Sequence, residues 1–109
     1  MSAITTHVLD TAQGRPAGGV PVVLEFQGAK GGWKVLGKGR TDADGRLKDL
    51  LPPGAPLEAG TYRLTFDTSA CMQGFYPQVA VTFTVRDPSQ HYHVPLLLSP
   101  YGYTTYRGS

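Results

Sequence analysis

The chain has 109 residues, of which 40% are hydrophobic and 17% charged, a composition that indicates one globular domain and excludes a disordered chain. A net charge of +2 without a run of Lys or Arg argues against nucleic-acid binding. No apolar stretch reaches the roughly 18 residues of a membrane-spanning helix, and the one cysteine, Cys71, excludes an internal disulfide. We therefore expect a single domain over residues 1–109, without nucleic-acid or membrane partners. Residues 1–7 lack the apolar region of a signal peptide, so we expect a cytoplasmic protein.

Alternating apolar residues predict short strands in the first half of the chain. Residues 4–10 form the first predicted strand, and a loop follows at 14–16. Residues 20–27 and 33–40 predict the next two strands. The sequence Asp-Ala-Asp-Gly at 42–45 is typical of a tight turn, because Asp side chains accept hydrogen bonds from nearby backbone N–H groups and Gly adopts positive φ at little cost.

The second half continues the same pattern, with many turns between alternating runs. Pro95 lies inside one of these runs, which predicts an edge strand or argues against the strand. Seven or eight strands with one apolar face each predict a two-sheet sandwich. The remaining predicted elements are a short strand near Leu47, a proline-rich loop at 51–60, strands at 61–67, 79–85, 92–98 and 103–107, and a helical turn or two at 68–74 that Gly74 would end.

Two of the predicted strands carry histidines on the face that points away from the core. If Tyr92 faces inward, then strand alternation turns His91 and His93 outward. In the first strand, His7 lies on the face opposite to Ile4 for the same reason. Faces that mix histidine with apolar residues are rarely left to bulk water, so we expect a second copy of the chain to cover them.

Each candidate residue also has an ordinary structural explanation. A lone strand histidine, such as His7, is commonly a surface residue, and Arg46 after the turn is commonly solvated. An alternative interpretation is that His91 and His93 belong to a zinc site with His7 as the third ligand. No spacing of Asp, Glu or Cys supports such a ligand set. The tyrosine-rich chain end at 101–106 indicates a packed rather than a frayed terminus.

Five blocks of sequence run in order from the first strand to the last residue. They are Thr-His-Val-Leu-Asp at 6–10, Gly-Arg-Thr-Asp-Ala-Asp-Gly-Arg at 39–46, Phe-Tyr-Pro at 75–77, His-Tyr-His-Val-Pro-Leu-Leu-Leu-Ser-Pro at 91–100 and Tyr-Arg-Gly-Ser at 106–109. Together these blocks resemble those of the 5-hydroxyisourate hydrolases within the transthyretin-like proteins. The terminal block is the most specific, because it distinguishes these hydrolases from transthyretin hormone carriers.

The resemblance implies an all-β, transthyretin-like sandwich of two four-stranded sheets with one short helix. It implies a homotetramer, a dimer of dimers, with active sites in a channel where two dimers meet. The implied reaction is the ring-opening hydrolysis of 5-hydroxyisourate to 2-oxo-4-hydroxy-4-carboxy-5-ureidoimidazoline in urate degradation, without cofactor or metal. The alternative is a non-catalytic transthyretin-like carrier of a small aromatic ligand.

The same resemblance assigns roles to seven residues. His7, Arg46 and His93 fall on the catalytic positions, whereas His91 is not a usual catalytic position. The expected contributors to substrate binding are the last four residues, Tyr106, Arg107, Gly108 and Ser109.

Overall fold

A computed structural model describes residues 2–109; Met1, the first residue of the expected domain, lies outside them. The described chain forms two β-sheets with almost no helix, which confirms the predicted all-β sandwich. Its strands are β1 (Ile4–Asp10), β2 (Arg15–Pro16), β3 (Pro21–Gln27), β4 (Trp33–Arg40), β5 (Arg46–Leu47), β6 (Gly60–Phe66), β7 (Val79–Val85), β8 (Tyr92–Ser99) and β9 (Gly102–Thr105).

The two sheets differ in regularity. One is antiparallel, with the strand order β4-β3-β6-β7. The other has the order β2-β1-β8-β9, in which β1 and β8 run parallel, and β5 also pairs with β1. The second sheet therefore has five strands rather than the expected four, because the two-residue strands β2 and β5 share the outer edge of β1.

The inner faces of both sheets enclose one hydrophobic core. Strand alternation places the predicted residues inside: Tyr92, Val94, Leu96 and Leu98 of β8 are all at most 7% exposed. Tyr62 of β6 joins an aromatic group in the opposite sheet, 4.9 Å from Phe26 and 5.9 Å from Phe83 between ring centroids. Each large apolar side chain buried in this way stabilises the fold by about 1.5–3 kcal/mol, so the core holds the two sheets in a fixed relation.

Pro95 does not mark an edge strand, and that expectation is wrong. Strand β8 lies between β1 and β9, and Pro95 is buried in its middle. The chain end keeps one register along β8, since both Leu96–Thr105 and His93–Gly108 belong to it, but Val94 and Pro95 between these pairs have no paired residue on that side. Proline has no N–H to donate, so it is tolerated where a ladder is interrupted.

The predicted helical segment at 68–74 is shorter than expected. A single 3-10 turn covers Thr68–Ala70. Gly74 lies beyond it and packs against the β8–β9 connection, where an added Cβ would lie 2.7 Å from the Pro100 carbonyl oxygen. Gly74 therefore permits a close backbone approach and does not cap a helix. Within residues 2–109, no helix has the length and apolar character needed to cross a membrane.

Candidate active site

Three strands bring the predicted catalytic residues onto one face of the β1–β8 sheet. The parallel register of β1 and β8 pairs Thr5 with His93 and His7 with Pro95. On the other side of β1, the antiparallel register pairs His7 with Arg46 of β5. Side chains of directly paired residues point to the same face of a sheet. His7, Arg46 and His93 therefore share the outer face of this sheet within a single protomer.

The Asp-Gly turn before β5 fixes the position of Arg46. Asp42 Oδ1 accepts hydrogen bonds from the backbone N–H groups of Asp44 (2.9 Å) and Arg46 (3.0 Å). The bond from Arg46 is the main reason why the pKa of the Asp42 carboxyl lies below its usual value. Gly45 has a φ of 76° and accepts a hydrogen bond from Val8 N–H at 2.7 Å. A Cβ at Gly45 would lie 2.4 Å from the Val8 carbonyl oxygen, so only glycine allows the turn to approach β1 this closely.

The proton position on His7 follows from its one hydrogen bond. His7 Nε2 lies 2.8 Å from the Asp44 carbonyl oxygen. A carbonyl oxygen only accepts, so Nε2 must donate and carries a proton in both charge states. The nitrogen of His7 that is able to exchange a proton is therefore Nδ1.

His93 is held in place through a hydrogen bond at its ring nitrogen Nδ1. His93 Nδ1 lies 2.8 Å from Thr5 Oγ1, and the same hydroxyl lies 3.1 Å from His91 Nε2. Burial is the main cause that lowers the pKa of His93, and the positive charges of Arg46, His7 and His91 lower it further. His93 is consequently neutral near pH 7, which is the form that accepts a proton.

Gly108 packs directly against His93. Its backbone N–H donates to the His93 carbonyl oxygen at 2.8 Å, and an added Cβ would lie 2.7 Å from His93 Cδ2. The chain end thus lies flat on the edge of the imidazole ring, at a distance that only glycine permits. This contact carries the last residue, Ser109, to the same place.

A pocket of about 130 Å³ opens beside these groups. His7 does not line it and lies on the same face next to Arg46. Lys48 is a lining residue that the sequence analysis missed, although its place two residues after Arg46 indicates the same face of an extended segment. The residues around the pocket include Thr5, Arg46, Lys48, His91, His93 and Ser109.

The four terminal residues divide between two places. Ser109 lines the histidine pocket and Gly108 pairs with His93 beside it, whereas Tyr106 and Arg107 line a second pocket of about 300 Å³ beside β7. The Arg107 guanidinium lies 4.5 Å from the centre of the Tyr92 ring and donates to Gln90 Oε1 at 2.7 Å. Within one protomer, the structure therefore does not bring Tyr106 and Arg107 to the pocket that contains His93.

The histidines do not form a metal-binding group in the described chain. Among residues 2–109, no cluster of three His, Cys, Asp or Glu side chains has the geometry to hold a metal ion. The rings of His91 and His93 are nearly parallel, with centroids 6.5 Å apart, and each directs one nitrogen to Thr5. The arrangement is suited to proton transfer, because hydroxyl and imidazole groups both donate and accept protons.

Comparison with known proteins gives a match over almost the whole chain. The sequence model of the HIUase/Transthyretin family matches residues 4–108. The 5-hydroxyisourate hydrolase of Salmonella dublin is 48% identical, and the match covers 97% of this chain and 80% of that protein. The 5-hydroxyisourate hydrolase of Mus musculus is 46% identical over 99% of this chain and 96% of its own length.

Solved structures give the same fold. Sea bream transthyretin in complex with thyroxine has a TM-score of 0.89 at 34% identity, covering 98% of this chain and 95% of that one. Klebsiella pneumoniae 5-hydroxyisourate hydrolase has a TM-score of 0.81 at 35% identity, covering 97% and 92%. The expected transthyretin-like sandwich is thereby confirmed. The chain belongs to the HIUase/Transthyretin family.

Proposed function

We propose that this protein is a 5-hydroxyisourate hydrolase, which opens the ring of 5-hydroxyisourate with water to form 2-oxo-4-hydroxy-4-carboxy-5-ureidoimidazoline in urate degradation. The observation that carries this proposal is the common sheet face shared by His7, Arg46 and His93. Two imidazoles and a guanidinium can supply the proton transfers and the charge stabilisation that hydrolysis of a cyclic amide needs. The near-full-length similarity to 5-hydroxyisourate hydrolases supports the same conclusion.

The first step is the activation of water. Water is a weak nucleophile, and a positioned base that removes its proton contributes roughly 10²–10⁴-fold to the rate. We assign this task to His93, since it lines the pocket and its lowered pKa keeps it neutral near pH 7. The water oxygen then forms a bond to a ring carbonyl carbon while the water proton moves to His93.

The developing negative charge on the attacked carbonyl oxygen requires a positive partner. Arg46 is fixed beside the pocket by the Asp42–Gly45 turn and presents a planar set of N–H donors. Preorganised donors of this kind stabilise the transition state without reorganisation during the reaction. Lys48 lines the same pocket and adds a second positive charge.

The last step breaks the C–N bond of the ring, and the leaving nitrogen takes up a proton. His93 returns the proton that it removed from water, or His7 supplies one from Nδ1, the nitrogen that its bond to Asp44 leaves available. Water thus adds across the C–N bond, with its hydroxyl on carbon and its proton on nitrogen. No cofactor or metal enters this balance.

The assembly that we propose is a homotetramer, a dimer of dimers with active sites between dimers. The pocket of one protomer, about 130 Å³, is smaller than the roughly 300 Å³ at which small-molecule pockets begin. A second copy over the same face would enclose a purine-derived substrate. Tyr106 and Arg107, which lie away from His93 in their own protomer, would take part in substrate binding only through such contacts between copies. Sedimentation of the purified protein as a monomer would contradict this assembly.

We place the reaction in the cytoplasm. The thiol of Cys71 is free, and burial raises its pKa, which leaves it in the unreactive protonated form. A lone unreactive thiol agrees with a reducing compartment but does not require one. Fractionation of cells that express the protein at its native level is the direct test.

The second candidate function is a carrier of a small aromatic ligand. The TM-score to sea bream transthyretin, 0.89, exceeds the 0.81 to the Klebsiella hydrolase, so the fold by itself favours neither function. The test is the absorbance decay of 5-hydroxyisourate, made fresh from urate and urate oxidase. A hydrolase accelerates the decay in proportion to protein concentration, whereas a carrier leaves the spontaneous rate unchanged and refutes the proposal.

A further inference from the structure

One buried hydroxyl beside the active site has no role in the reaction described so far. Thr5 is 3% exposed and lies in the middle of the histidine-bearing face. Its Oγ1 is 2.8 Å from His93 Nδ1 and 3.1 Å from His91 Nε2, so the hydroxyl connects the two rings. His91, by contrast, is exposed to solvent.

Counting protons on this connection leaves two neutral arrangements in which the buried hydroxyl proton has one of the two rings as its acceptor. A threonine hydroxyl has one proton, so in each arrangement it donates to one ring and accepts from the other. If Thr5 donates to His91, then His93 carries its proton on Nδ1 and its Nε2 is unprotonated. If Thr5 donates to His93 Nδ1, then His91 donates to Thr5 and neutral His93 carries its proton on Nε2. Only the first arrangement leaves His93 Nε2 able to act as a base.

We propose that Thr5 and His91 are positioning residues that keep the His93 proton on Nδ1, so that Nε2 is the base in hydrolysis. This inference rests on the proposed function, because it concerns the base of that reaction. The tautomer of a histidine is set by the hydrogen bond at its other nitrogen. Here that bond passes through Thr5 to a second imidazole, which accepts the hydroxyl proton.

The same connection lets the positive charge move temporarily from His93 to His91. When His93 Nε2 takes a proton from water, the proton on Nδ1 passes to Thr5 Oγ1, and the hydroxyl proton passes to His91 Nε2. His93 gains one proton and loses one, and the positive charge moves to His91. His91 is exposed and carries the charge in contact with solvent until the relay runs back and His93 Nε2 gives its proton to the leaving nitrogen. This transfer removes positive charge from a site that burial and Arg46 make unfavourable for it.

Charged neighbours of both rings set the conditions of the test. His93 faces the positive charges of Arg46, His7 and His91, and Lys48 lines the same pocket. Arg107 donates to the His91 carbonyl oxygen at 3.4 Å. A protonated His91 must donate to Thr5, which reverses the connection and places the His93 proton on Nε2. The measurements therefore belong at alkaline pH, well above the ordinary histidine range.

The direct test is nitrogen NMR of the histidine rings in the full-length protein without substrate, at about pH 8. We expect wild-type His93 in the Nδ1–H tautomer. Thr5→Val replaces the hydroxyl with a methyl group of the same shape and should abolish that preference, whereas Thr5→Ser keeps it. A wild-type His93 in the Nε2–H tautomer, or a tautomer unchanged by Thr5→Val, would overturn the proposal.

Kinetics supply the second readout. We expect Thr5→Val to lower kcat roughly 10- to 100-fold with little change in KM, since part of the acid–base contribution is lost. Thr5→Ser should restore most of kcat. The matched control is Thr65→Val, the same change at a half-buried position of the opposite sheet, which should leave both constants unchanged. Failure of Thr5→Ser to restore kcat would show that Thr5 acts only through packing.

A second variant covers the case in which Thr5→Val does not fold. His91→Phe keeps an aromatic ring at an exposed position but removes the accepting nitrogen, so Thr5 is left to donate to His93 Nδ1. The His93 proton should then move to Nε2, and kcat should fall. A normal kcat with an unchanged tautomer in His91→Phe contradicts the proposal. The NMR measurement needs no substrate, so a failure of this proposal can be distinguished from a failure of the proposed hydrolysis.

Discussion

A single methyl group at Gly108 should disable the active site without unfolding the protein. In Gly108→Ala, the new Cβ would lie 2.7 Å from His93 Cδ2, whereas ordinary contacts begin at 3.4 Å. The ring and the chain end must separate by about 0.7 Å, since the clash is with a ring held on its far side by Thr5. A shift of that size would push Nδ1 into Thr5 Oγ1, which is already at a hydrogen-bond distance of 2.8 Å, so the ring must turn and the bond cannot keep its geometry.

The rate should fall roughly 10- to 100-fold, because displacements near 1 Å in a catalytic group have effects of up to about 10²-fold. The assay is the initial rate of 5-hydroxyisourate absorbance loss, together with a thermal melt. The matched control is Gly102→Ala in β9, where an added Cβ meets only Ser99 Oγ at 3.7 Å and should leave the rate unchanged. A Gly108→Ala enzyme with a wild-type rate would refute the packing argument.

Three further predictions concern the same site. Arg46→Lys should lose most activity in the absorbance assay, because a point charge does not replace a planar set of donors; an unchanged rate would remove Arg46 from charge stabilisation. A bulky extension after Ser109 should lower activity, since Ser109 lines the pocket, and full activity of the tagged protein would contradict that placement. Protonation of His93 itself should lower the rate only below the ordinary histidine value of about 6.5, because its lowered pKa keeps it neutral down to that range. A midpoint above that value would show that another group limits the rate.

Much of the fold was predictable because alternation is a local property of the chain. The burial of Tyr92, Val94, Leu96 and Leu98 matches the face predicted for β8. The gap in pairing that accommodates Pro95 was not predictable, since it depends on how the flanking residues Leu96 and His93 pair with Thr105 and Gly108 at the chain end. The pairing of β2 and β5 along one edge of β1 was not predictable either, because two-residue strands have no alternation to detect.

The candidate site was predictable as a set of residues but not as a geometry. Alternation placed His7 and His93 on outward faces, and the turn before Arg46 was evident from its Asp and Gly residues. The parallel pairing of β1 with β8 joins segments more than 80 residues apart, and no local pattern encodes its register. The contacts of Thr5 with both histidines follow from that register, so they required coordinates.

The central claim is that the outer face of the β1–β8 sheet performs the hydrolysis, with His93 as its base. The most direct measurement compares wild type and His93→Ala in the 5-hydroxyisourate decay assay, after subtraction of the spontaneous rate and with matched melting temperature and oligomeric state. We predict that His93→Ala loses roughly 10²-fold or more of the accelerated rate. A correctly folded His93→Ala protein that opens the ring at a nearly normal rate would contradict the account.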